Sequence, residues 1–111
     1  TAKDTLAALE RDCPDVVSLD LTMPDYNGLT VLQQIRKRWP QVHCIVFSGH
    51  ADIAYVETAI REGARAYVFK EDVADFVQSI RCVAEGGSFI SARYRKELDV
   101  NELVKESLRA S

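Results

Sequence analysis

At the centre of the chain stands the run Cys44-Ile45-Val46-Phe47, in which every side chain is apolar. Two similar, almost wholly apolar runs flank it along the sequence, from Val16 to Leu19 and from Ala66 to Phe69. Short runs of this kind, rich in β-branched and aromatic residues, are typical of strands that are buried on both faces of a parallel sheet. The three runs therefore predict a parallel sheet that is covered by helices on both sides.

The segments between these runs repeat apolar residues every three or four positions, which is typical of amphipathic helices. Proline or glycine follows each of these segments and ends it. The predicted helices cover residues 2–12, 28–39, 52–62 and 72–85. This alternation of helices and strands predicts a doubly wound α/β fold with right-handed crossovers.

The end of the chain predicts one more helix. Asp99 is followed three residues later by Glu102, in the manner of a capping box, and apolar residues after Asp99 share one helical face. We expect an amphipathic helix over residues 99–110, preceded by a polar, basic connector from Ser91 to Lys96. The predicted organisation is thus a main domain over residues 1–92 and a connector with a C-terminal helix over residues 93–111.

Composition excludes several classes of protein. The chain has 111 residues, of which 47% are hydrophobic and 28% charged, and these values are ordinary for a single globular domain. The formal net charge of −3 is unlike that of a nucleic-acid-binding domain, and no apolar run approaches the ~20 residues of a membrane span. No basic-then-apolar leader opens the sequence, so we expect a cytoplasmic protein with no membrane contact.

The three cysteines are odd in number and widely spaced, and none belongs to a C-x-x-C pair. A zinc site or a thioredoxin-type site is therefore disfavoured. Each cysteine lies beside apolar residues, which favours buried free thiols in a reducing cytoplasm.

Polar side chains follow the three predicted strands at the point where each strand ends. Asp20 follows the first strand, Ser48 ends the second and Lys70 follows the third. In open parallel sheets, the carboxyl ends of the strands form the site. A carboxylate there can attack a phosphoryl group, and a hydroxyl and an ammonium can bind the phosphoryl oxygens. Each residue alone is more often a cap, a turn residue or a solvated charge, but the three together favour phosphoryl chemistry.

The stretch from Asp20 to Gly28, which reads DLTMPDYNG, resembles the phosphoacceptor loop of receiver domains in two-component response regulators. Val46 to Gly49 and Ala59 to Lys70 are similar to later segments of the same family. Val77 to Ser91 resembles the end of receivers that are attached to helix-turn-helix transcription factors. The resemblance covers about residues 1–92 and implies a flavodoxin-like fold.

The resemblance also implies roles for individual residues. Asp20 would be the phosphoacceptor, phosphorylated by a histidine kinase, and Ser48 and Lys70 would bind the phosphoryl group. The carboxylate of Asp20 and the backbone carbonyl of Thr22 would ligate Mg²⁺.

Three further residues would complete the site. Tyr67 would be the aromatic switch that turns inward when Ser48 moves, although simple core packing is an alternative. His50 and the side chain of Thr22 would line the mouth of the pocket, although His50 could equally be a solvated loop residue.

The sequence departs from the family at its beginning. Members of the family begin with a strand, a helix and a second strand, and an acidic pair after the first strand holds Mg²⁺. This chain begins with the helix predicted over residues 2–12, so we expect an N-terminally truncated receiver that binds Mg²⁺ poorly, with Asp25 as a weak substitute ligand. The strand over residues 16–19 would then be an open edge.

The chain would be either a fragment of a longer receiver or a shortened one that completes its fold in another way. A homodimer could pair the open edges. Alternatively, the helix over residues 99–110 could dock beside the helix over residues 72–85, where the family has its first helix, or could simply begin a linker to an output domain.

Two functions follow. The first is a phosphorylation-switched module of two-component signalling that regulates transcription through protein association, most simply as a homodimer. The alternative is a receiver-like interaction module that acts without phosphorylation. An enzyme is disfavoured because the sequence has no phosphate-binding glycine loop and no nucleophile elbow, and a single helix after residue 92 argues against direct DNA binding.

Overall fold

The structure, a computed structural model, describes residues 15–20, 28–49 and 52–109. These residues form four strands, four α-helices and one short 3₁₀ helix. In chain order they are β1 (Val16–Asp20), α1 (Gly28–Arg38), β2 (His43–Ser48), α2 (Ile53–Arg61), β3 (Ala64–Phe69), α3 (Val73–Ala84), β4 (Phe89–Ile90), the 3₁₀ helix (Ala92–Tyr94) and α4 (Val100–Arg109). The helix predicted over residues 2–12 lies outside the described residues.

The four strands form one parallel sheet in the order β1-β2-β3-β4. Asp20 is paired with Phe47 and Ser48 with Phe69, so the carboxyl ends of the first three strands lie at the same edge of the sheet. The predicted α/β fold is confirmed. β4 was not predicted as a strand; it extends the sheet because Ile90 is paired with Tyr67.

The helices cover both faces of the sheet, as the apolar strands require. On one face, α1, α2 and α4 pack over a large cluster that includes Leu32, Ile60 and Tyr67. On the other face, α3 packs over a smaller cluster around Val68 and Val83. The free thiol of Cys44 is buried in the larger cluster, and Cys82 is free and half-buried. The third cysteine, Cys13, lies outside the described part of the chain.

The C-terminal helix α4 packs on the face opposite to the one that we proposed for it. Leu103 and Val104 are buried against Ile60 and its neighbours in the larger cluster, rather than beside α3. The hypothesis that α4 takes the place of a first helix next to α3 is therefore wrong. The physical reason is that the apolar stripe of α4 meets the apolar face of α2, which lies on the opposite side of the sheet from α3.

Polar contacts with α1 and α2 help to hold α4 in this position. The Arg61 guanidinium lies 3.1 Å from Oε2 of Glu106. Arg36 donates one hydrogen bond to the carbonyl of Arg61 and another to the carbonyl of Ser107, so that it joins the last turns of α2 and α4. Among the described helices, none combines the length and the apolar character that crossing a membrane requires.

Candidate functional site

The candidate site is built at the carboxyl edge of the sheet from the ends of β1, β2 and β3. Asp20 is the last residue of β1, Ser48 is the last residue of β2, and Lys70 follows the last residue of β3. The amide of Lys70 donates a hydrogen bond of 2.9 Å to the carbonyl of Ser48, which continues the parallel ladder by one step. The sheet itself therefore fixes the backbone of Lys70 beside Ser48.

The side chains of Asp20 and Lys70 form an ion pair across this edge. Lys70 Nζ lies 2.9 Å from Asp20 Oδ2. The Asp20 side chain is 46% exposed and the Lys70 side chain is 38% exposed, so both remain open to solvent. An exposed pair of this kind contributes only about 0–1 kcal/mol to stability. The arrangement leaves a charged carboxylate accessible to a reactant, with a cation already beside it.

Ser48 and Tyr67 lie directly behind this edge and are both completely buried. Burial raises the pKa of the Tyr67 phenol, and a hydrogen bond with Ser48 acts in the opposite direction. The phenol is therefore neutral at physiological pH, and its hydroxyl is bonded to the hydroxyl of Ser48. The structure thus joins the two residues to which the family resemblance gave linked movements. The Tyr67 ring already lies inside the core, so its inward turn stays a prediction.

Aromatic rings enclose the Tyr67 ring on two sides. Tyr55 of α2 lies edge-on with ring centroids 6.2 Å apart, and Tyr94 of the 3₁₀ helix lies edge-on at 5.8 Å. Such edge-to-face pairs are each worth about 0.5–1.5 kcal/mol beyond the area that they bury. A movement of Tyr67 would therefore disturb both neighbours.

Of the predicted Mg²⁺ ligands, only Asp20 lies in the part of the chain that the structure describes. Thr22, His50 and Asp25, which were predicted to line the pocket or to ligate the metal, lie outside the described residues. Within residues 15–20, 28–49 and 52–109, no three acidic, histidine or cysteine side chains gather where they could hold a metal ion. Asp20 supplies a carboxylate, but Oδ2 of that carboxylate is bonded to an ammonium, whereas Mg²⁺ requires a near-octahedral set of oxygens.

Sequence reasoning missed the residues that tie the connector to this edge. Ser91 is buried, and its hydroxyl accepts a hydrogen bond of 3.0 Å from the amide of Phe69, one residue before Lys70. Arg93 forms an ion pair of 3.0 Å with Asp72, two residues after Lys70. The connector was predicted only as a polar and basic segment, and the signal that could have found these contacts is Tyr94, an aromatic residue within it.

The sequence model of the response regulator receiver domain matches residues 1–81. This chain belongs to the receiver domain family. The receiver chain is 31% identical over 112 residues to the transcriptional regulatory protein DegU of Brevibacillus brevis, and the match covers 98% of this chain and 48% of DegU. The receiver therefore spans about half the length of that curated relative.

Solved structures agree with this assignment. The receiver superimposes with a TM-score of 0.80 on a two-component response regulator of the LuxR family from Aurantimonas sp., with 27% identity, over 99% of this chain and 74% of that one. It also superimposes with a TM-score of 0.78 on the isolated receiver domain of RcsB from Salmonella enterica, in the presence of the phosphomimetic BeF₃⁻. That likeness covers 88% of this chain and 74% of the RcsB chain at 19% identity, and it supports the fold alone.

Proposed function

We propose that this chain is a receiver module of two-component signalling that a histidine kinase phosphorylates on Asp20. The observation that carries the proposal is the contact of 2.9 Å between Asp20 and Lys70 at the carboxyl edge of the sheet. Membership of the receiver family and the position of Ser48 at the same edge support it. The reaction takes place in the cytoplasm.

The proposed transfer is a displacement at phosphorus. A carboxylate oxygen of Asp20 attacks the phosphoryl group carried by a histidine of the kinase. The new oxygen–phosphorus bond forms as the phosphorus–nitrogen bond breaks, and the imidazole of the kinase keeps the electron pair of that bond. The Lys70 ammonium is placed to stabilise the negative charge on the phosphoryl oxygens, and the Ser48 hydroxyl donates a hydrogen bond to one of them.

The proposed output is a change in protein association. When Ser48 moves toward the phosphoryl group, the packing of the buried Tyr67 ring beside it changes, and the change reaches the surface formed by α2, β3 and α3. α3, one of these three elements, exposes large apolar side chains, including Val73 at 66% and Val77 at 50%. A second copy of the chain is the partner that we propose, in an assembly that regulates transcription.

We also propose that residues 1–92 form the receiver module and that residues 93–111 form a connector and a C-terminal helix. The connector is docked on the receiver rather than free of it, because Tyr94 is buried in the larger core cluster. Direct nucleic-acid binding is not part of the proposal, since the net charge of the chain is −3.

A second candidate function is an interaction module that works without phosphorylation. One observation favours it: the apolar side chains of α3 are exposed before any phosphoryl group is bound. In this alternative, α3 would associate with its partner constitutively.

The two functions predict different responses to beryllofluoride, which mimics a phosphoryl group on a carboxylate. We expect light scattering to show a higher mass for the wild-type chain after beryllofluoride is added in Mg²⁺ buffer, and no change for Asp20→Asn. An assembly of the same size with and without beryllofluoride would reject the switch and support the second candidate.

A further inference from the structure

Lys70 lies in the tight turn that joins β3 to α3. The amide of Asp72 donates a hydrogen bond of 2.9 Å to the carbonyl of Phe69, which closes a four-residue turn with Lys70 at its second position. Phe69 is the last residue of β3, and Asp72 directly precedes α3. The backbone of Lys70 is therefore held between Phe69 and Asp72.

The connector is bonded to both ends of this turn. The buried hydroxyl of Ser91 accepts a hydrogen bond of 3.0 Å from the amide of Phe69. The Arg93 guanidinium donates to both oxygens of the Asp72 carboxylate, at 3.0 Å from Nε and at 3.1 Å from Nη2. A guanidinium that binds a carboxylate through two parallel hydrogen bonds fixes its direction as well as its distance.

Further contacts reinforce this attachment. The Arg93 guanidinium also lies 4.2 Å from the centre of the Phe69 ring, and the amide of Ser91 donates a hydrogen bond of 3.0 Å to the carbonyl of Tyr67. Hydrogen bonds from Arg93 and, to a smaller extent, from Ser91 lower the pKa of Asp72, so that its carboxylate is ionised and bonded at neutral pH. The connector thus contacts β3 and the turn at several points.

The position of this turn decides where the Lys70 ammonium lies. Asp20 ends β1, Lys70 follows β3, and β2 lies between the two strands. Lys70 Nζ therefore reaches Asp20 Oδ2 across two strand spacings of about 4.8 Å each. A side chain that spans this distance has little length to spare, so a shift of its backbone carries the ammonium away from the carboxylate. A misplacement of about 1 Å can cost on the order of 10²-fold in the rate of a reaction.

We propose that Ser91 and Arg93 are positioning residues, which hold the turn so that the Lys70 ammonium lies beside Asp20, and that phosphoryl transfer to Asp20 depends on them. The inference rests on the proposed function. Both residues act through Lys70 rather than on the phosphoryl group. Arg93 lies beyond residue 92, so the structure that supports the site extends into the segment that we assigned to the connector.

The test measures the rate of phosphoryl uptake in a cycle of full-length chains. The cycle consists of the wild type, Arg93→Gln, Lys70→Ala and the double variant. Each protein is incubated with acetyl phosphate in Mg²⁺ buffer, and intact mass spectrometry follows the fraction that carries a phosphoryl group. Circular dichroism at the assay temperature shows that each variant is folded, so that a loss of stability alone does not change the measured rate.

We expect Arg93→Gln to gain the phosphoryl group about tenfold more slowly than wild type, because the turn is then held by the connector at one end only. In the chain that already carries Lys70→Ala, Arg93→Gln should cause no further slowing, because the residue through which it acts is absent. A purely structural role for Arg93 would not produce this dependence on Lys70.

Three results would overturn the inference, and each has a different meaning. If Arg93→Gln is phosphorylated as fast as wild type, Arg93 does not position Lys70, and the proposed function stands. If Arg93→Gln slows the reaction equally with and without Lys70, it acts by another route. If the wild-type chain gains no phosphoryl group, the proposed function is wrong, and the inference is wrong with it.

Arg95→Gln is the matched control. Arg95 belongs to the same connector, its Nε donates a hydrogen bond of 3.2 Å to the carbonyl of Ile90, and its guanidinium lies 4.9 Å from the centre of the Phe89 ring. It therefore makes with β4 the kinds of contact that Arg93 makes with the turn. Arg95→Gln should be phosphorylated at the wild-type rate, and a slowing as large as that of Arg93→Gln would contradict the assignment.

A pair of substitutions at Ser91 tests the other end of the turn. Ser91→Ala removes the oxygen that accepts the hydrogen bond from the amide of Phe69, whereas Ser91→Thr keeps a hydroxyl. We expect Ser91→Ala to be phosphorylated more slowly than Ser91→Thr, and equal rates would show that the hydroxyl does not position Lys70. If the buried site tolerates neither substitution, the cycle with Arg93, which is exposed, decides the question alone.

Discussion

Lys70 Nζ lies 2.9 Å from Asp20 Oδ2, although the two residues are separated by fifty positions in the chain. Asp20 ends β1 and Lys70 follows β3, and these strands are not neighbours in the sheet. The contact spans β2, which lies between them and contributes Ser48 to the same edge. Because both side chains are partly exposed, the pair adds little to the stability of the fold. In the proposed function, the pair places a cation where negative charge develops during phosphoryl transfer.

Replacement of Lys70 by alanine is expected to change the rate of phosphorylation much more than the stability of the fold. The free energy of unfolding should fall by less than about 1 kcal/mol, because the ion pair is exposed. The rate of phosphorylation by acetyl phosphate should fall on the order of 10²-fold, as when a single charge-stabilising donor is removed from an active site. Urea unfolding and intact mass spectrometry measure the two quantities.

Lys37→Ala is the matched control, since Lys37 is an exposed lysine at the far end of α1. Phosphorylation of the Lys37→Ala chain should proceed at the wild-type rate. A Lys70→Ala chain that is phosphorylated as fast as wild type would remove Lys70 from the site.

Because Ser48 and Tyr67 share a hydrogen bond, the effects of substituting them on the free energy of unfolding should not be additive. Ser48→Ala should lower the free energy of unfolding by about 1–3 kcal/mol, because it removes a partner from a buried phenol. Adding Tyr67→Phe removes that phenol hydroxyl, so the double variant should lose less than the sum of the two single losses, by about 0.5–1.5 kcal/mol. Urea unfolding of the four proteins of the cycle measures this difference, and strict additivity would mean that the two hydroxyls do not interact.

Docking of α4 predicts a contrast between two leucines on the same helix. Leu103 is 8% exposed and packs in the larger cluster, whereas Leu108 is 54% exposed. Leu103→Ala should cost about 2–3 kcal/mol of unfolding free energy, and Leu108→Ala less than about 0.5 kcal/mol. Thermal or urea unfolding compares the variants, and equal effects would mean that α4 is not packed as described.

The ion pair between Arg93 and Asp72 predicts a pH-dependent contribution to stability. The hydrogen bonds from Arg93 hold the pKa of Asp72 below its usual value of 3.8. The ionised form is therefore favoured in the folded state, and its contribution is complete above pH 3.8 and is lost as the pH falls through the lowered folded pKa. Asp72→Asn keeps a helix-capping residue at the start of α3 but removes the charge.

Asp72→Asn should consequently be less stable than wild type at pH 6 and closer to wild type at pH 3. Urea unfolding at the two pH values measures the difference in stability. Glu71→Gln, which alters the exposed neighbouring residue, is the control, and its difference from wild type should be the same at both pH values. A deficit of Asp72→Asn that stays constant between the two pH values would show that the charge of Asp72 is not its cause.

Much of the fold followed directly from the sequence. The centre of the sheet was predicted closely because the run from Cys44 to Phe47 is apolar on both faces, and β2 differs from the prediction by one residue at each end. The first two residues of β3, Ala64 and Arg65, were missed because they are not part of an apolar run. β4 is only two residues long, and it is a strand because β3 provides the backbone partners.

The contacts of the connector could not be predicted for a different physical reason. Hydrophobic periodicity shows that α4 has an apolar stripe, but not which face of the sheet that stripe covers. The face that α4 covers depends on the path of the chain after β4 and on the packing of Tyr94 against Tyr67, and both are tertiary features. The roles assigned to Asp20, Ser48 and Lys70 came from their positions at the ends of strands, and these roles stay predictions.

The most direct test of the account is to locate the phosphoryl group after treatment with acetyl phosphate. The chain is incubated in Mg²⁺ buffer, digested and mapped by mass spectrometry, with Asp20→Asn treated in parallel. The account predicts one phosphoryl group per chain, carried by Asp20 and absent from the Asp20→Asn variant. A chain that gains no phosphoryl group, or an Asp20→Asn variant that gains as much as wild type, would contradict it.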